Sequence, residues 1–211
     1  MTVGVYGGSF DPVHIGHAAI AAYAAGHGPF EEVWMMVSPL NPLKGAAPPL
    51  FSDSQRLEMT RRAMNGVDRV TVSDFEMGLP RPSYSFLTLS RLKEQFPDRN
   101  FRLITGADNL RDFHLWRNPG ELLRQFGLTV FPRPGIEISP RMISDIENRY
   151  QARGSIVYLE KAPLVDISST MLRKLLVEPE DPRIDKFIPA PALRFIRSLP
   201  RHTLQRKEIN T

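Results

Sequence analysis

The segment VGVYGGSFDPVHIGHAA, from Val3 to Ala19, carries the strongest structural signal in this chain. The apolar residues Val3–Tyr6 predict a strand, which the glycine pair Gly7 and Gly8 ends. The alanine-rich residues Ile15–Ala25 then predict a helix. A strand, a glycine turn and a helix in this order indicate the first unit of an α/β protein.

The rest of the chain continues this alternation. Further strands are predicted at Glu32–Ser38, Arg69–Ser73, Phe101–Gly106, Gly127–Arg133 and Ser155–Glu160. Helices are predicted from Ser52 or Asp53 onward, from Ser83 or Tyr84 to Phe96, and at Asp108–Phe113, Pro119–Phe126, Pro140–Arg153, Ser169–Leu176 and Ala190–Leu199. Because several strands are apolar nearly throughout, we expect a mostly parallel sheet with helices on both faces. Residues 1–211 are expected to form a single domain with a helical C-terminal part at about 166–200. The proline-rich stretches Pro39–Pro49 and Glu178–Pro191 are expected to be loops.

The composition excludes several classes of function. With no cysteine among 211 residues, disulfides, thiolate metal sites and a cysteine nucleophile are ruled out. Neither a secretory signal nor an apolar run of about 18 residues is visible, so we expect a soluble, cytoplasmic protein with no membrane partner. The formal net charge of +4 suits polyanionic small molecules. We expect the basic tail Arg201–Lys207 to be solvated and not to bind nucleic acid. The oligomeric state stays open, and a homo-oligomer is compatible with the sequence.

The sheet architecture indicates where to look for a ligand, because parallel α/β sheets bind ligands at the carboxyl ends of their strands. The residues just after the predicted strands are polar or glycine-rich. They are Gly7-Gly8-Ser9, Ser38, Asn41, Lys44, Gly106-Ala107-Asp108, Arg133 and Asp166–Lys174.

His14 and His17 lie three residues apart at the start of the first predicted helix, where a helical backbone points both imidazoles the same way. Gly16 between them leaves room for a bulky ligand, and the preceding glycine turn lets peptide N–H groups face a phosphate. Both imidazoles can then donate hydrogen bonds to phosphate oxygens. Two alternatives stay open at this point. The histidines can be surface or partly buried residues without a functional role, or they can belong to a zinc site, for which two histidines are too few ligands.

The second candidate segment is ISSTMLRK, Ile167 to Lys174. Ser168, Ser169 and Thr170 lie where a helix begins, so their hydroxyl groups and the free N–H groups form an anion site that the helix dipole favours. Arg173 lies one turn further on and can hold phosphate oxygens with its fork of donors. The alternative is an ordinary helix cap followed by a surface arginine.

Taken together, the two segments can clamp a triphosphate between them. The chain has no P-loop lysine motif and no G-x-G-x-x-G after a strand, which disfavours a kinase or a dehydrogenase.

The segments GGSFDPVHIGH and ISSTMLR resemble the H-x-G-H and ISST-x-x-R elements of the nucleotidylyltransferase superfamily. Within it, the chain most resembles the bacterial nicotinate-mononucleotide adenylyltransferases. Further similar segments are PSYS at Pro82–Ser85, GADNL at Gly106–Leu110, FHLWRNPGELL at Phe113–Leu123 and RPG at Arg133–Gly135. The resemblance implies a Rossmann-like, doubly wound fold. It also implies an enzyme that transfers AMP from ATP to nicotinate mononucleotide, giving deamido-NAD and pyrophosphate, with Mg²⁺ accompanying ATP.

The resemblance also implies roles for individual residues. It makes His14, His17 and Arg173 the catalytic contacts to the ATP phosphates. The ATP-binding residues it implies are Gly7, Gly8, Ser9, Phe10, Gly106, Asp108, Arg133, Ser168, Ser169 and Thr170. The implied mononucleotide-binding residues are Asn41, Lys44, Tyr84, Ser85 and Trp116, and no residue is implied as a metal ligand. Ser9 and Ser85 stand where the family pattern has threonine.

Three rival classes share part of this pattern. Pantetheine-phosphate adenylyltransferases are usually shorter and lack the PSYS and tryptophan-loop matches. Glycerophosphate or choline-phosphate cytidylyltransferases would show an R-T-E-G type segment where this chain has PLVDISST. A nucleotide sensor or nucleic-acid-binding module that keeps the fold without the chemistry is the rival from a different class.

Overall fold

Six parallel strands form one sheet in the computed structural model, which describes residues 1–39, 49–177 and 181–200. The strands are β1 Thr2–Gly8, β2 Glu32–Val37, β3 Val70–Ser73, β4 Asn100–Gly106, β5 Leu128–Phe131 and β6 Ile156–Tyr158. Their spatial order is β3-β2-β1-β4-β5-β6, with every neighbouring pair parallel. This order is the doubly wound, Rossmann-like arrangement, so the fold class that the sequence indicated is confirmed.

Helices connect the strands on both faces of the sheet. They are α1 Ile15–His27, α2 Asp53–Met64, α3 Ser85–Gln95, α4 Asp108–Arg111, α5 Pro119–Gln125, α6 Pro140–Arg149, α7 Ser169–Val177, α8 Ile184–Phe187 and α9 Ala190–Ser198, with 3₁₀ turns at Phe75–Gly78 and Phe113–Leu115. The Ser52 hydroxyl accepts the Gln55 N–H at the start of α2, as the capping pattern predicted. No helix of the described ranges is long and apolar enough to cross a bilayer.

Two expectations about local structure are wrong. Helix α8 lies inside the stretch that was expected to be a loop, because Ile184 and Ile188 are buried and four residues are too few to show a helical period. Helix α6 stops at Arg149 instead of Arg153, since Gln151 takes a left-handed φ of 52° that a helix cannot continue through. Of the predicted proline-rich loop Pro39–Pro49, residues 40–48 lie outside the described residues.

The central strands β1, β2, β4 and β5 are largely apolar because both faces of the sheet are buried there, whereas the edge strand β3 is only partly buried. Tyr6 and Met35 point into a core formed with α1, α2, α7 and α9, whereas Val5 and Trp34 point into a second core formed with α3, α4 and α5. Alternate residues of β1 therefore serve opposite faces. The direction of winding changes between β1 and β4, and the carboxyl ends of these two strands meet at this switch point.

Candidate active site

The chain crosses the carboxyl edge of the sheet directly after β1. Phe10 takes a left-handed φ of 44°, a conformation that bulky residues rarely adopt, and its buried ring meets the His17 ring edge-on at 5.0 Å. A Cβ at Gly8 would come within 2.8 Å of the Phe10 ring, so glycine is needed there. Phe10 thus shapes the loop with its side chain, and only its backbone is left to meet a ligand.

The two histidines lie together at the start of α1, as predicted, but they do not both belong to the helix. His14 is the N-cap residue with an extended backbone, φ −143° and ψ 170°, and is not part of the helix. The two imidazole rings nevertheless stack at 3.6 Å, and the His14 N–H lies 3.3 Å from Nδ1 of His17. Because Nδ1 of His17 accepts this hydrogen bond, the neutral ring carries its proton on Nε2.

A narrow cleft opens beside these rings, and we call it the histidine cleft. It is lined by Tyr6, His14, Gly16, His17, Ile20, Phe131, Pro132, Arg133, Pro134, Pro163 and Val165. Nε of Arg133 lies 3.3 Å from the Asp108 carboxylate, and a Cβ at Gly106 would come within 2.3 Å of that carboxylate. Burial raises the pKa of Tyr6, and the smaller effect of Arg133 only partly opposes it, so the phenol stays protonated.

The ISST segment is seated directly on the segment after β1. The Ser169 hydroxyl donates to the carbonyl of Pro12 at 3.0 Å, and Nη1 of Arg173 donates to the carbonyl of Asp11 at 2.8 Å. Arg173 also lies 3.6 Å from the Asp11 carboxylate and donates to the Thr170 hydroxyl at 2.9 Å. The structure therefore brings together two segments that lie about 160 residues apart in the chain.

The hydroxyl groups of this segment all have partners within the protein. The Ser168 hydroxyl accepts the Met171 N–H at 3.1 Å and caps α7, while those of Ser169 and Thr170 take part in the contacts just described. Only the Ser169 hydroxyl uses its proton in these contacts, because the hydroxyls of Ser168 and Thr170 act as acceptors and can still donate to an anion. The N–H groups of Ser169 and Thr170 at the start of α7 have no partner within the helix and add to this capacity.

Two residues that organise this edge were missed by the sequence analysis. Arg56 is fully buried, and its Nη1 donates to the carbonyls of Ser9 at 2.5 Å and Ser38 at 2.8 Å, so it ties the loop after β1 to the end of β2. Arg56 has no distinguishing local pattern, because arginine is common in amphipathic helices such as α2.

Asp11 is the second. Its buried carboxylate accepts the N–H groups of Leu50 and Phe51 at 2.9 and 3.0 Å. Its position inside the GGSFDPVHIGH segment was the only available signal.

A second cavity, of about 160 Å³, adjoins the glycine pair on the other side of β1. We call it the aromatic cavity. It is lined by Val5, Gly7, Gly8, Ser38, Glu76, Ser83, Tyr84, Ser85, Phe86, Thr88, Leu89, Leu103, Ile104, Thr105, Asn109, Leu115, Trp116 and Arg117. Tyr84, Ser85 and Trp116, three of the implied mononucleotide-binding residues, lie around this one cavity, at the N-terminus of α3. Arg117 lies at 4.9 Å over the Tyr84 ring.

The interior of the aromatic cavity contains buried polar groups, among them a carboxylate, Glu76, that the sequence analysis missed. Glu76 is only 5% exposed, and one carboxylate oxygen accepts the Thr88 hydroxyl at 2.6 Å. The other oxygen of Glu76, the Ser83 hydroxyl and Nε1 of Trp116 are buried with no hydrogen-bond partner among the described residues. Glu76 lies in a 3₁₀ turn, which has too few residues to give a periodic signal.

Some implied residues cannot be placed. Asn41 and Lys44, the implied contacts to the mononucleotide phosphate, lie outside the described residues, as does the basic tail Arg201–Lys207. Within residues 1–39, 49–177 and 181–200, no group of three histidine, aspartate or glutamate side chains is placed to hold a metal ion.

The chain is similar to known proteins in both sequence and fold. A family model described as cytidylyltransferase-like matches residues 5–175. A protein of Bacteroides fragilis named a probable nicotinate-nucleotide adenylyltransferase is 39% identical over 85% of this chain and 84% of its own length. A protein of Bacteroides thetaiotaomicron with the same name is 37% identical over 97% of this chain and 95% of its own length. The solved structure of Plasmodium falciparum nicotinic acid mononucleotide adenylyltransferase complexed with NaAD shares the fold, with a TM-score of 0.78, 19% identity and 99% of both chains covered.

The parallel sheet, its switch point and the two facing segments define a nucleotide-binding protein of the α/β class. The family match and the two Bacteroides relatives refine that class. The chain belongs to the cytidylyltransferase-like family and, within it, to the nicotinate-nucleotide adenylyltransferases.

Proposed function

We propose that the chain transfers AMP from ATP to nicotinate mononucleotide, giving deamido-NAD and pyrophosphate, as its family does. The observation that carries this proposal is the seating of Ser169 and Arg173 on the Asp11-Pro12 backbone, beside the stacked rings of His14 and His17. A guanidinium, two imidazoles and the helix N-termini of α1 and α7 converge there on one edge of the sheet.

ATP is proposed to bind along the histidine cleft. Its phosphates would meet Nε2–H of His17, the guanidinium of Arg173 and the first turn of α7, all of which are donors. Gly106 and the Asp108–Arg133 pair lie beside the cleft and would meet the adenosine part. The backbone of Gly8, Ser9 and Phe10 would run alongside the phosphates.

The mononucleotide is proposed to place its ring in the aromatic cavity. Tyr84 and Trp116 offer aromatic surface for the pyridine ring. The N-terminus of α3 at Ser85 has no side-chain cap, so its N–H groups are placed to donate hydrogen bonds to the carboxylate of nicotinate. Gly7 and Gly8 separate the two cavities with the least possible bulk, so the reacting phosphates can approach each other across β1.

In the chemical step, an oxygen of the mononucleotide phosphate attacks the α-phosphorus of ATP. The bond from this phosphorus to the bridging oxygen breaks, and pyrophosphate leaves. Two anions must meet, so catalysis consists of positioning and charge neutralisation, with no covalent intermediate on the protein. His17, His14 and Arg173 are proposed to share that neutralisation.

Mg²⁺ is proposed to enter with ATP, bound to its phosphates, where it neutralises negative charge. Because the resemblance implies no protein side chain as a metal ligand, the ion is proposed to be held chiefly by the phosphates of the substrate. The absence of cysteine fits a reducing compartment, and we propose that the reaction takes place in the cytoplasm.

The test is pyrophosphate release from ATP across a panel of acceptors: nicotinate mononucleotide, nicotinamide mononucleotide, pantetheine phosphate and glycerol phosphate. We expect the highest kcat/KM with nicotinate mononucleotide. No pyrophosphate release with any acceptor would indicate a nucleotide-binding module without catalysis. A higher kcat/KM with another acceptor would show that the enzyme has a different acceptor specificity.

A further inference from the structure

The aromatic cavity contains a buried carboxylate that nothing in the reaction above uses. Glu76 is 5% exposed, receives one hydrogen bond, from Thr88 at 2.6 Å, and has no partner for its second oxygen among the described residues. None of the ion pairs found within the described ranges includes Glu76. A buried carboxylate without a cation is costly, so a ligand that brings a positive charge would be favoured there.

The rest of the cavity is built for the same kind of ligand. The rings of Tyr84 and Trp116 present negative π-faces, which attract cations as well as stack on flat rings. Among the described residues that line the cavity, Arg117 is the one with a cationic side chain; it is exposed, lies over the Tyr84 ring and forms no ion pair with Glu76. The cavity is therefore negative inside and positive near its exposed wall.

We propose that Glu76 is a specificity-determining residue whose carboxylate recognises the positive charge of a pyridinium ring. This proposal rests on the proposed function, since the ring of nicotinate mononucleotide is a pyridinium cation. The carboxylate acts through its field in a low-dielectric cavity, so direct contact with the ring nitrogen is not required. Ser83 and Trp116, whose hydroxyl and Nε1–H are unpartnered, supply donors for the negative substituent on the same ring.

The decisive comparison is between nicotinate mononucleotide and its 1,4-dihydro form, which has the same substituents and a neutral ring. Binding of each to the intact protein is measured by calorimetry, without turnover. The wild type is expected to bind the pyridinium form roughly 10- to 100-fold more tightly, which is the effect of one charge pair at a partly screened distance. In Glu76→Gln this preference is expected to fall several-fold, through loss of affinity for the pyridinium form alone, and the remaining preference is the contribution of the Tyr84 and Trp116 rings.

Glu147→Gln is the matched control, because Glu147 is also a buried glutamate, 8% exposed, and accepts the Ile156 N–H far from the aromatic cavity. This variant is expected to keep the wild-type preference. Glu76→Asp keeps the charge and is expected to keep a reduced preference, and it replaces Glu76→Gln if that variant does not fold.

Equal affinity of the wild type for the two forms would overturn the proposal. Equal losses of affinity for both forms in Glu76→Gln would also overturn it, because they would show that Glu76 only maintains the shape of the cavity. Failure of the proposed function is separate: it would appear as absent pyrophosphate release from the wild type with nicotinate mononucleotide, whatever the binding ratio.

Discussion

Arg173 illustrates how one side chain serves both the fold and the proposed chemistry. Its guanidinium donates to the Asp11 carbonyl and to the Thr170 hydroxyl, which holds α7 against the segment after β1. A guanidinium has five N–H donors in a planar fork, so further donors remain for phosphate oxygens on its exposed side. Lysine could not make the same set of contacts, because its single ammonium is a point donor.

His17→Ala is expected to lower kcat for pyrophosphate release by about 10²–10³ while the fold is kept, because one donor to the reacting phosphate is lost. Circular dichroism checks the fold, and initial rates with ATP and nicotinate mononucleotide check the turnover. His27→Ala is the control on the same helix, since His27 lies at the far end of α1 against Tyr23. Near-normal turnover in a folded His17→Ala would remove His17 from the mechanism.

Arg56→Met is expected to lower the free energy of unfolding by about 3–5 kcal/mol, since the carbonyls of Ser9 and Ser38 and the carboxylate of Asp53 lose a buried cationic donor. Urea denaturation measures this change. Arg61→Met on the same helix removes an exposed ion pair with Asp74 and is expected to cost less than about 1 kcal/mol. Similar costs for the two variants would contradict the assignment of Arg56 as the tie between the two loops.

At the scale of elements, the site is built from strand ends and helix starts. The end of β1 supplies the glycine pair, the start of α1 supplies the imidazoles, and the starts of α3 and α7 supply N–H groups. Parallel strands place these ends at one edge of the sheet, and helix N-termini attract anions. Two substrates that carry phosphates can therefore be held by backbone groups as much as by side chains.

Gly7→Ala tests whether the end of β1 borders the mononucleotide. A Cβ there meets only the Ser38 hydroxyl, at 3.9 Å, so we expect the free energy of unfolding to change by less than about 1 kcal/mol. The added methyl projects toward the aromatic cavity, so KM for nicotinate mononucleotide is expected to rise roughly ten-fold. Gly26→Ala in α1, where a Cβ meets no atom within 4 Å, is expected to leave KM unchanged. An unchanged KM in Gly7→Ala would place the substrate elsewhere.

At the scale of the whole molecule, the site joins two segments that lie far apart in the sequence. Residues 9–17 follow the first strand, and α7 follows the last one, yet they share hydrogen bonds. Helix α9 then packs on α2 in the same core, so the C-terminal helices cover the face of the sheet that bears α1. Binding of ATP across this junction would link the first and last parts of the fold.

ATP is accordingly expected to raise the Tm of the wild type by about 5–10 °C at 100 times its Kd, from about 2.7 kcal/mol of linkage and about 2–4 °C per kcal/mol for a chain of this size. Differential scanning calorimetry measures the shift. At the same ATP concentration, Arg173→Ala is expected to show a smaller increase in Tm than the wild type, because the junction loses a phosphate contact. An unchanged Tm for the wild type with ATP in excess would argue against the nucleotide site.

The order and type of most elements could be predicted from the sequence, because they follow from local periodicity. The apolar runs of β1 to β6, the alanine-rich α1 and the Ser52 cap each depend on neighbouring residues. The segments GGSFDPVHIGH and ISSTMLR also indicated the family directly. Short elements such as α8 and the 3₁₀ turn that bears Glu76 were missed, since three or four residues show no period.

Sequence alone therefore determined the fold class, the family and the two segments that bear the candidate phosphate-binding residues. Only the tertiary structure decided how those segments meet, which hydroxyl groups of the ISST segment bind within the protein, that Glu76 is buried in the aromatic cavity, and that Arg56 ties the loop after β1 to the end of β2. The reason is physical: backbone conformation and periodicity are local, whereas these contacts join residues up to 162 positions apart, and close packing of the whole chain fixes them.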